Sequence, residues 1–377
     1  MTVQRPLLLT GSYGKMNTGD DALAIVTAWG ALQYWGAQQV GVLGRNMPVL
    51  PSAVKRRSLQ KRYVPGQGIL ETIAGLVSRP LVVYGGGSIF SKPPKGAANK
   101  NSILRAARRM GLVRLGAIGV SLGPFKDDKA REGIGEFLSS FDFLSLRDER
   151  SYAEACRMKL PFEPVRAFDL AALLPLVFGD ETVRIREWQK PVLGVSLCHY
   201  ERYVGGNESN EKRREEQIDA VLRIVVEMCS PCLRFLVFNG THDVEIARSF
   251  ANRYSQDTNV EIIDYTSDTR QMWSSVRDCT AVLATRLHAG MFSCYSETPF
   301  LQVEYHQKCA DFLDDIGYPD DWRIGDMKDT VTAMAEKLVR LLGQDAHGFS
   351  TGKHRECQKE ALKNFSAVQE AVVKSSA

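Results

Sequence analysis

Apolar residues in this chain come in short unbroken runs, and each run gives way to a longer stretch where apolar positions recur at helical spacing. The runs PLLLT (6–10), VGVLG (40–44), LVVYG (81–85), LGAIGVS (115–121) and FDFLSL (141–146) predict one series of strands. A second series follows at PVLGVSL (191–197), LRFLVF (233–238), VEIID (260–264), TAVLA (280–284) and PFLQVEY (299–305). Helices are expected between them, among them 20–35, 210–228, 243–255 and 326–343. Continuous rather than alternating apolar runs mark strands buried on both faces, and a helix after each strand makes neighbouring strands parallel. Two such series in tandem predict an α/β protein of two Rossmann-like domains.

The series break at LLPLVFGDETVRIREWQKP (173–191), which has a proline towards each end and a charged middle, as a linker would. This gives an N-terminal domain over 1–175 and a C-terminal domain over 190–345. The tail, 352–377, carries helical spacing over 352–373 and is expected to cross back onto the first domain. SKPPKGAANKN (91–101) reads as a mobile loop, and ERYVGGNESNEKRREEQ (201–217) as a second one that runs into a charged helix.

A length of 377 residues fits two domains, and 44% hydrophobic with 24% charged residues fits a globular protein. No run of eighteen apolar residues occurs, so no spanning helix is expected. The opening MTVQRPLLLTGSYG is too short in apolar residues for a signal peptide, and eight scattered cysteines are expected as reduced thiols in a cytoplasm. The net charge of +4 conceals an asymmetry: residues 1–175 carry 24 Lys+Arg against 13 Asp+Glu, the remainder 24 against 31. Clusters at Lys55–Arg57, Lys61–Arg62 and Arg105–Arg109 could face anionic lipid, a nucleic acid or an anionic substrate, or simply solvent. No nucleic-acid motif accompanies them, so no nucleic-acid partner is expected.

Several motifs sit where strands end. GSYGKMNTGDDALA (11–24) opens a helix; Asn17 or Thr18 can cap it, and Asp20 and Asp21 suit its first turn. Capping alone accounts for the acids. They oppose a phosphate there, so contact with sugar hydroxyls is the better functional reading. In YGGGSIF (84–90), Gly86, Gly87 and Ser88 can expose backbone N–H groups at a strand's carboxyl end, or merely allow tight packing. GVSLG (119–123) has nucleophile-elbow spacing but runs into Pro124 instead of a helix, which argues against a hydrolase. CSPC (229–232) lacks a second ligand pair and the histidines are dispersed, so no metal is expected.

ATRLHAG (284–290) places Arg286 and His288 where a buried strand meets a helix, a place where open α/β sheets bind ligands. SLRDERS (145–151) places Arg147 at another strand end, either as part of a surface ion-pair network or as a ligand contact. Lys308, in YHQKCADFL, lies at a helix start, where the dipole does not favour a cation; that suggests a bound anion.

Together these pieces resemble the polysaccharide pyruvyl transferase family. The resemblance is carried by NTGDDAL, GGGSIF, GVSLGPF, SLRDERS, FDLAALLP, ATRLHAGMFS and EYHQKCADFLDDIG, in the family's order, over residues 7 to 317. It implies two Rossmann-like domains in a GT-B-like arrangement with a cleft between them. It implies an enzyme that moves the three-carbon unit of phosphoenolpyruvate onto two hydroxyls of a sugar, forming a cyclic ketal and releasing phosphate.

The family's donor pattern maps onto Arg147, Arg286–Leu287–His288 and Lys308. One departure is His306, where many relatives carry an acid. Arginine forks and a lysine suit the donor's carboxylate and phosphate. On this reading Arg286 is buried because its counter-charge arrives with the donor. His288 is the candidate general acid, or else an anion-binding imidazolium. Asn17, Asp20, Gly86, Gly87 and Ser88 are expected on the acceptor side. No cofactor is needed, since phosphoenolpyruvate is a substrate. The expected partners are phosphoenolpyruvate, a sugar or lipid-linked oligosaccharide, and an anionic membrane at its inner face, met peripherally. The alternatives are a GT-B-type glycosyltransferase using a nucleotide sugar, or a non-catalytic glycan-binding relative.

Overall fold

The structure is a computed structural model that describes residues 6–58, 63–78, 80–94, 99–179, 190–343 and 352–373. The middle of the expected linker (180–189), part of the first expected mobile loop (95–98) and the basic pair Lys61–Arg62 lie outside the described residues. The chain forms two compact units. The first comprises Met1–Lys15, Asp20–Val177 and Arg355–Ala377; the second comprises Met16–Gly19 and Phe178–His354.

The first unit is built on a parallel sheet of seven strands: β1 (Leu7–Thr10), β2 (Val40–Val42), β3 (Val54–Arg56), β4 (Leu81–Phe90), β5 (Arg114–Leu122), β6 (Phe143–Leu146) and β7 (Val165–Arg166). Their order is β3-β2-β1-β4-β5-β6-β7. The second unit has β8 (Val192–Ser196), β9 (Cys232–Leu236), β10 (Val260–Ile263), β11 (Ala281–Ala284), β12 (Phe300–Glu304) and β13 (Ile324–Gly325), in the order β10-β9-β8-β11-β12-β13. All pairs are parallel. In both sheets the order reverses beside the first strand, so each has a switch point, between β1 and β4 and between β8 and β11.

Each expected strand forms. The central ones (β1, β4, β8 and β11) are buried along nearly their whole length, as continuous apolar runs require. Three strands escape the hydrophobic pattern. β3 and β7 are short and partly exposed, with Lys55, Arg56 and Arg166 on them, and β13 is two residues long. All three are edge strands, with neighbours on one side only. Their residues need not be apolar.

The tail forms helices His354–Ser366 and Gln369–Val373, and from Arg355 onward it belongs to the first unit. Trp35 Nε1 donates to the Phe365 carbonyl at 3.0 Å, and Asn364 Nδ2 donates to that of Phe168 at 2.8 Å. Ser145 Oγ on β6 donates to Asn364 Oδ1 at 2.6 Å, so a buried amide ties the tail to the sheet. Among the described residues, no helix is long and apolar enough to cross a membrane.

The basic cluster Arg105–Arg109 is largely absorbed by the fold. Arg105 pairs with Glu136 at 3.2 Å and Arg108 with Asp142 at 2.8 Å. The second expected loop runs, as expected, into a charged helix, Glu208–Cys229, but its first part is also helical, in Tyr200–Val204. All eight cysteines are free thiols.

Candidate active site

The carboxyl edge of the second sheet gathers most of the chemistry. Thr285, after β11, is tied to the end of β8: its N–H and Oγ1 both donate to the Ser196 carbonyl, at 2.9 and 2.7 Å. This fixes the turn at the switch point. Arg286 then takes an extended backbone (φ −67°, ψ 128°) as the residue before the helix Leu287–Tyr295.

The Arg286 guanidinium meets Asp243 through two bonds. Nε donates to Oδ2 at 3.0 Å, and Nη2 donates to Oδ1. Asp243 is 1% exposed and Arg286 15%. The carboxylate is held by the loop after β9. Asn239 N–H donates to Asp243 Oδ2 at 2.9 Å, while Asn239 Oδ1 accepts the N–H groups of Thr241 and His242 at 2.9 and 3.0 Å. The expectation that Arg286 awaits its counter-charge from a ligand is therefore corrected, because Asp243 supplies it. Burial disfavours the guanidinium's charge, but Cys198 and Asp243 more than offset it and hold the pKa above the ordinary arginine value. Burial pushes the Asp243 carboxyl up, and the Arg286 fork only partly pulls it back.

His288 lies in the first turn of the same helix. Its imidazole packs against Gly19, where an added Cβ would overlap the ring. Gly19 reaches this position because Met16–Gly19 is pinned to the second unit. Thr18 N–H donates to the Phe238 carbonyl and Gly240 N–H to the Met16 carbonyl, both at 2.9 Å, and Asn17 bridges Asn239 antiparallel. Asn17, expected beside first-domain residues, thus groups with the second unit, and its Oδ1 accepts the Gly19 N–H at 3.0 Å.

Lys308 begins on the next edge position, in the helix Gln307–Asp315 after β12. Its Nζ stands 5.8 Å from the Tyr200 ring centre. His306 caps this helix, with Nδ1 accepting the Lys308 N–H at 3.2 Å. The histidine therefore does what an acidic cap would do. Nearby, His199 Nε2 lies 3.0 Å from Glu215 Oε1, and these two with Glu211 bring ligand atoms within 4.8 Å of one another. That spacing suits a metal, but Arg202 also approaches Glu211, with Nε at 3.6 Å, so the cluster reads as an ion-pair network.

In the first unit, Arg147 follows β6 and is 7% exposed. Nε donates to Ser121 Oγ at 2.6 Å, Nη1 to Asp169 Oδ2 at 2.6 Å and Nη2 to Ser88 Oγ at 3.0 Å. One guanidinium thus joins residues of β4 and β5 with the segment after β7. Ser121 lies within β5 and donates to Asp148 Oδ2 at 2.6 Å, which is a structural role and not that of a nucleophile. Gly86 and Gly87 have φ of 70° and 87°, where only glycine is at ease. A Cβ on Gly87 would lie 3.7 Å from Asp20 Oδ1, so Asp20, Gly87, Ser88 and Arg147 form one neighbourhood.

Asp243 and Gly19 were not expected as site residues, and no role was expected of Asp169 and Ser121. Gly19, Asp169 and Ser121 lie in NTGDDAL, FDLAALLP and GVSLGPF. Asp243 lay in FNGTHD, where only a polar turn directly after a buried strand hinted at it.

The chain is structurally similar to proteins of the GT-B fold. UDP-GlcNAc 2-epimerase from Methanocaldococcus jannaschii matches with a TM-score of 0.60 at 10% identity, over 94% of this chain and 98% of that one. The enzyme of that name from Neisseria meningitidis, solved with UDP-GlcNAc, matches with a TM-score of 0.59 at 11% identity, over 98% and 100%. MnaA of S. aureus, solved with UDP, gives 0.58 at 11% identity, over 96% and 92%. At such identities the likeness is one of fold. No curated protein sequence matches the chain. The family model of polysaccharide pyruvyl transferases matches residues 49–307. The matched span contains Arg147 and the Arg286–His288 turn; NTGDDAL precedes it, and Lys308 follows it directly. With more than half of its length matched, and the resemblance drawn from seven separate pieces upheld, the chain belongs to the polysaccharide pyruvyl transferase family.

Proposed function

We propose that the protein moves the enolpyruvyl unit of phosphoenolpyruvate onto two hydroxyls of a sugar, giving a cyclic pyruvate ketal and inorganic phosphate. The observation that carries this reading is the turn Arg286–Leu287–His288 at the second sheet's switch point, with Lys308 following the adjacent strand. Asp243 occupies the Nε and Nη2 edge of Arg286, which leaves the Nη1 edge for a donor oxygen. The helix start at Leu287 adds its dipole, and Lys308 adds a second positive charge. Arg147 retains N–H groups beyond its three bonded ones, and the donor role implied for it by the family pattern rests on those.

His288 gives a proton to the donor's methylene carbon, and positive charge develops at the central carbon. A sugar hydroxyl adds there and returns its proton to the imidazole. Phosphate leaves as the carbon–oxygen bond breaks and takes up the proton of the second hydroxyl, which closes the ketal. The steps are proton transfer, addition and loss of phosphate, for which a histidine that gives and takes back one proton suffices. Asp20 and Ser88 supply acceptor-side hydrogen bonds to a sugar or lipid-linked oligosaccharide.

The test is incubation with phosphoenolpyruvate and a panel of glycans, following phosphate release and the mass of the product. Release matched by ketal formation is expected. Consumption of a nucleotide sugar in place of phosphoenolpyruvate would establish the glycosyltransferase reading instead.

A further inference from the structure

The helix Gln67–Leu76 of the first unit presents an unusual outer face. Its inner side buries Gln67, Thr72 and Leu76, and Gly75 rests near Leu8 of β1. Leu70, Ile73 and Val77, at one-turn spacing, point the other way and are 62%, 50% and 81% exposed. Tyr63 and Val64, just before the helix, are 72% and 51% exposed. The neighbouring helix Lys100–Arg109 ends on Met110, also exposed. Single exposed apolar residues need no explanation, but a row on one helix face does.

Basic residues lie to one side of this helix. β3, the edge strand preceding the helix, exposes Lys55 and Arg56, and Arg57 follows it, also exposed. The Arg57 side chain and Leu8 both border Gly41, and Gly75 borders Leu8, which sets Arg57 beside the helix. An apolar stripe beside cations is the pattern of a helix lying in a bilayer interface, where acyl chains take the aliphatic side chains and lipid phosphates take the cations. A stable homodimer buries about 800 Å² per partner, more than the outer face of one ten-residue helix provides.

We propose that the face formed by Leu70, Ile73 and Val77, with Tyr63 and Val64 beside it and Lys55–Arg57 at its rim, docks the protein on an anionic lipid bilayer without spanning it. Anionic lipid is chosen over neutral lipid by the basic rim, and the apolar row supplies a part of the binding that salt does not screen.

Sedimentation with phosphatidylcholine vesicles, with and without phosphatidylglycerol, tests this at low and high salt. The assay contains neither donor nor acceptor, so its result is independent of the pyruvyl-transfer reading. The wild-type chain should partition onto the phosphatidylglycerol vesicles. Leu70→Ser/Ile73→Ser/Val77→Ser should lower the partition coefficient about tenfold or more. Lys55→Gln/Arg56→Gln/Arg57→Gln should abolish the preference for anionic lipid and the salt dependence. Val77→Glu, at the most exposed position, should weaken partitioning even if the triple variant fails to fold. The proposal is overturned if wild type does not partition, if the folded variants partition as wild type does, or if the serine variant instead loses a wild-type dimer seen by light scattering in the absence of vesicles.

Discussion

Asp243 holds the Arg286 guanidinium through both carboxylate oxygens, at the point where β11 passes into its helix. Arg147 has a similar partner in the first unit, with Nη1 2.6 Å from Asp169 Oδ2. Each buried arginine at a sheet's carboxyl edge is therefore neutralised within its own unit. An anion placed on such a pair adds negative charge to a neutral couple, so Lys308 and the helix dipole carry more of the donor's charge than the arginines alone would suggest.

Removal of one partner leaves the other as an uncompensated buried charge. Arg286→Ala should destabilise the fold by about 3–5 kcal/mol, in addition to its effect on transfer. Arg286→Ala/Asp243→Ala should lose less than the two single changes together. Acidification should partly restore Arg286→Ala, because Asp243, whose pKa burial already raises, then becomes neutral. Denaturant melts of the four proteins at neutral and mildly acidic pH measure this. An Arg286→Ala variant as stable as wild type would mean that the pair has no structural weight.

The two-sheet architecture was legible because a strand buried on both faces must be apolar throughout, as in LVVYG and TAVLA. The edge strands were not, since Lys55 and Arg56 of β3 face solvent. Arg286, His288 and Lys308 could be singled out because basic groups at strand ends conflict with packing. Asp243 could not, because its partner lies 43 residues away and only the fold brings them together. Gly19 was hidden for a related reason. A glycine beside two acids looks like helix-start chemistry, whereas its contact is a ring on the helix after β11, far along the chain.

The Gly19–His288 contact predicts that Gly19→Ala behaves as a site mutation. The new methyl group must displace the imidazole, since it would overlap the ring. Turnover should fall roughly as far as in His288→Ala, by about 10²–10⁴-fold for a lost general acid. Donor affinity should change much less. The double variant should be no slower than His288→Ala alone, because both changes remove one function. Steady-state kinetics of the three variants decide this; a fully active Gly19→Ala would show that the ring's position is not critical.

His306 should be replaceable by aspartate. Its Nδ1 accepts the Lys308 N–H at 3.2 Å, and aspartate at a helix cap accepts such a bond well. His306→Asp should keep stability within a few tenths of a kcal/mol, and His306→Ala should lose about 1 kcal/mol. Chemical denaturation separates the two. Equal loss in both would point to the ring's edge contact with Tyr200, with centres 5.3 Å apart, as the feature that matters.

Lys100 makes the fold's stability depend on alkaline pH. Its Nζ donates to Thr10 Oγ1 at 2.7 Å at the end of β1. Burial, and then the charge of Lys15, lowers its pKa from 10.5 to about 8. Below pH 8 the lysine is protonated in both the folded and unfolded chains, and the folded chain bears the penalty of a desolvated charge. Between pH 8 and 10.5 the folded protein sheds this proton first, so the penalty fades and stability rises with pH. The buried phenols of Tyr13 and Tyr84, raised by burial, act in the opposite sense near the top of that range. The useful quantity is therefore the difference between wild type and Lys100→Met. Relative to the variant, wild type should gain on the order of 2 kcal/mol from pH 7.5 to 10.5, after allowance for partial solvent exposure. Parallel stability curves would show that Lys100 keeps an ordinary pKa in the folded chain.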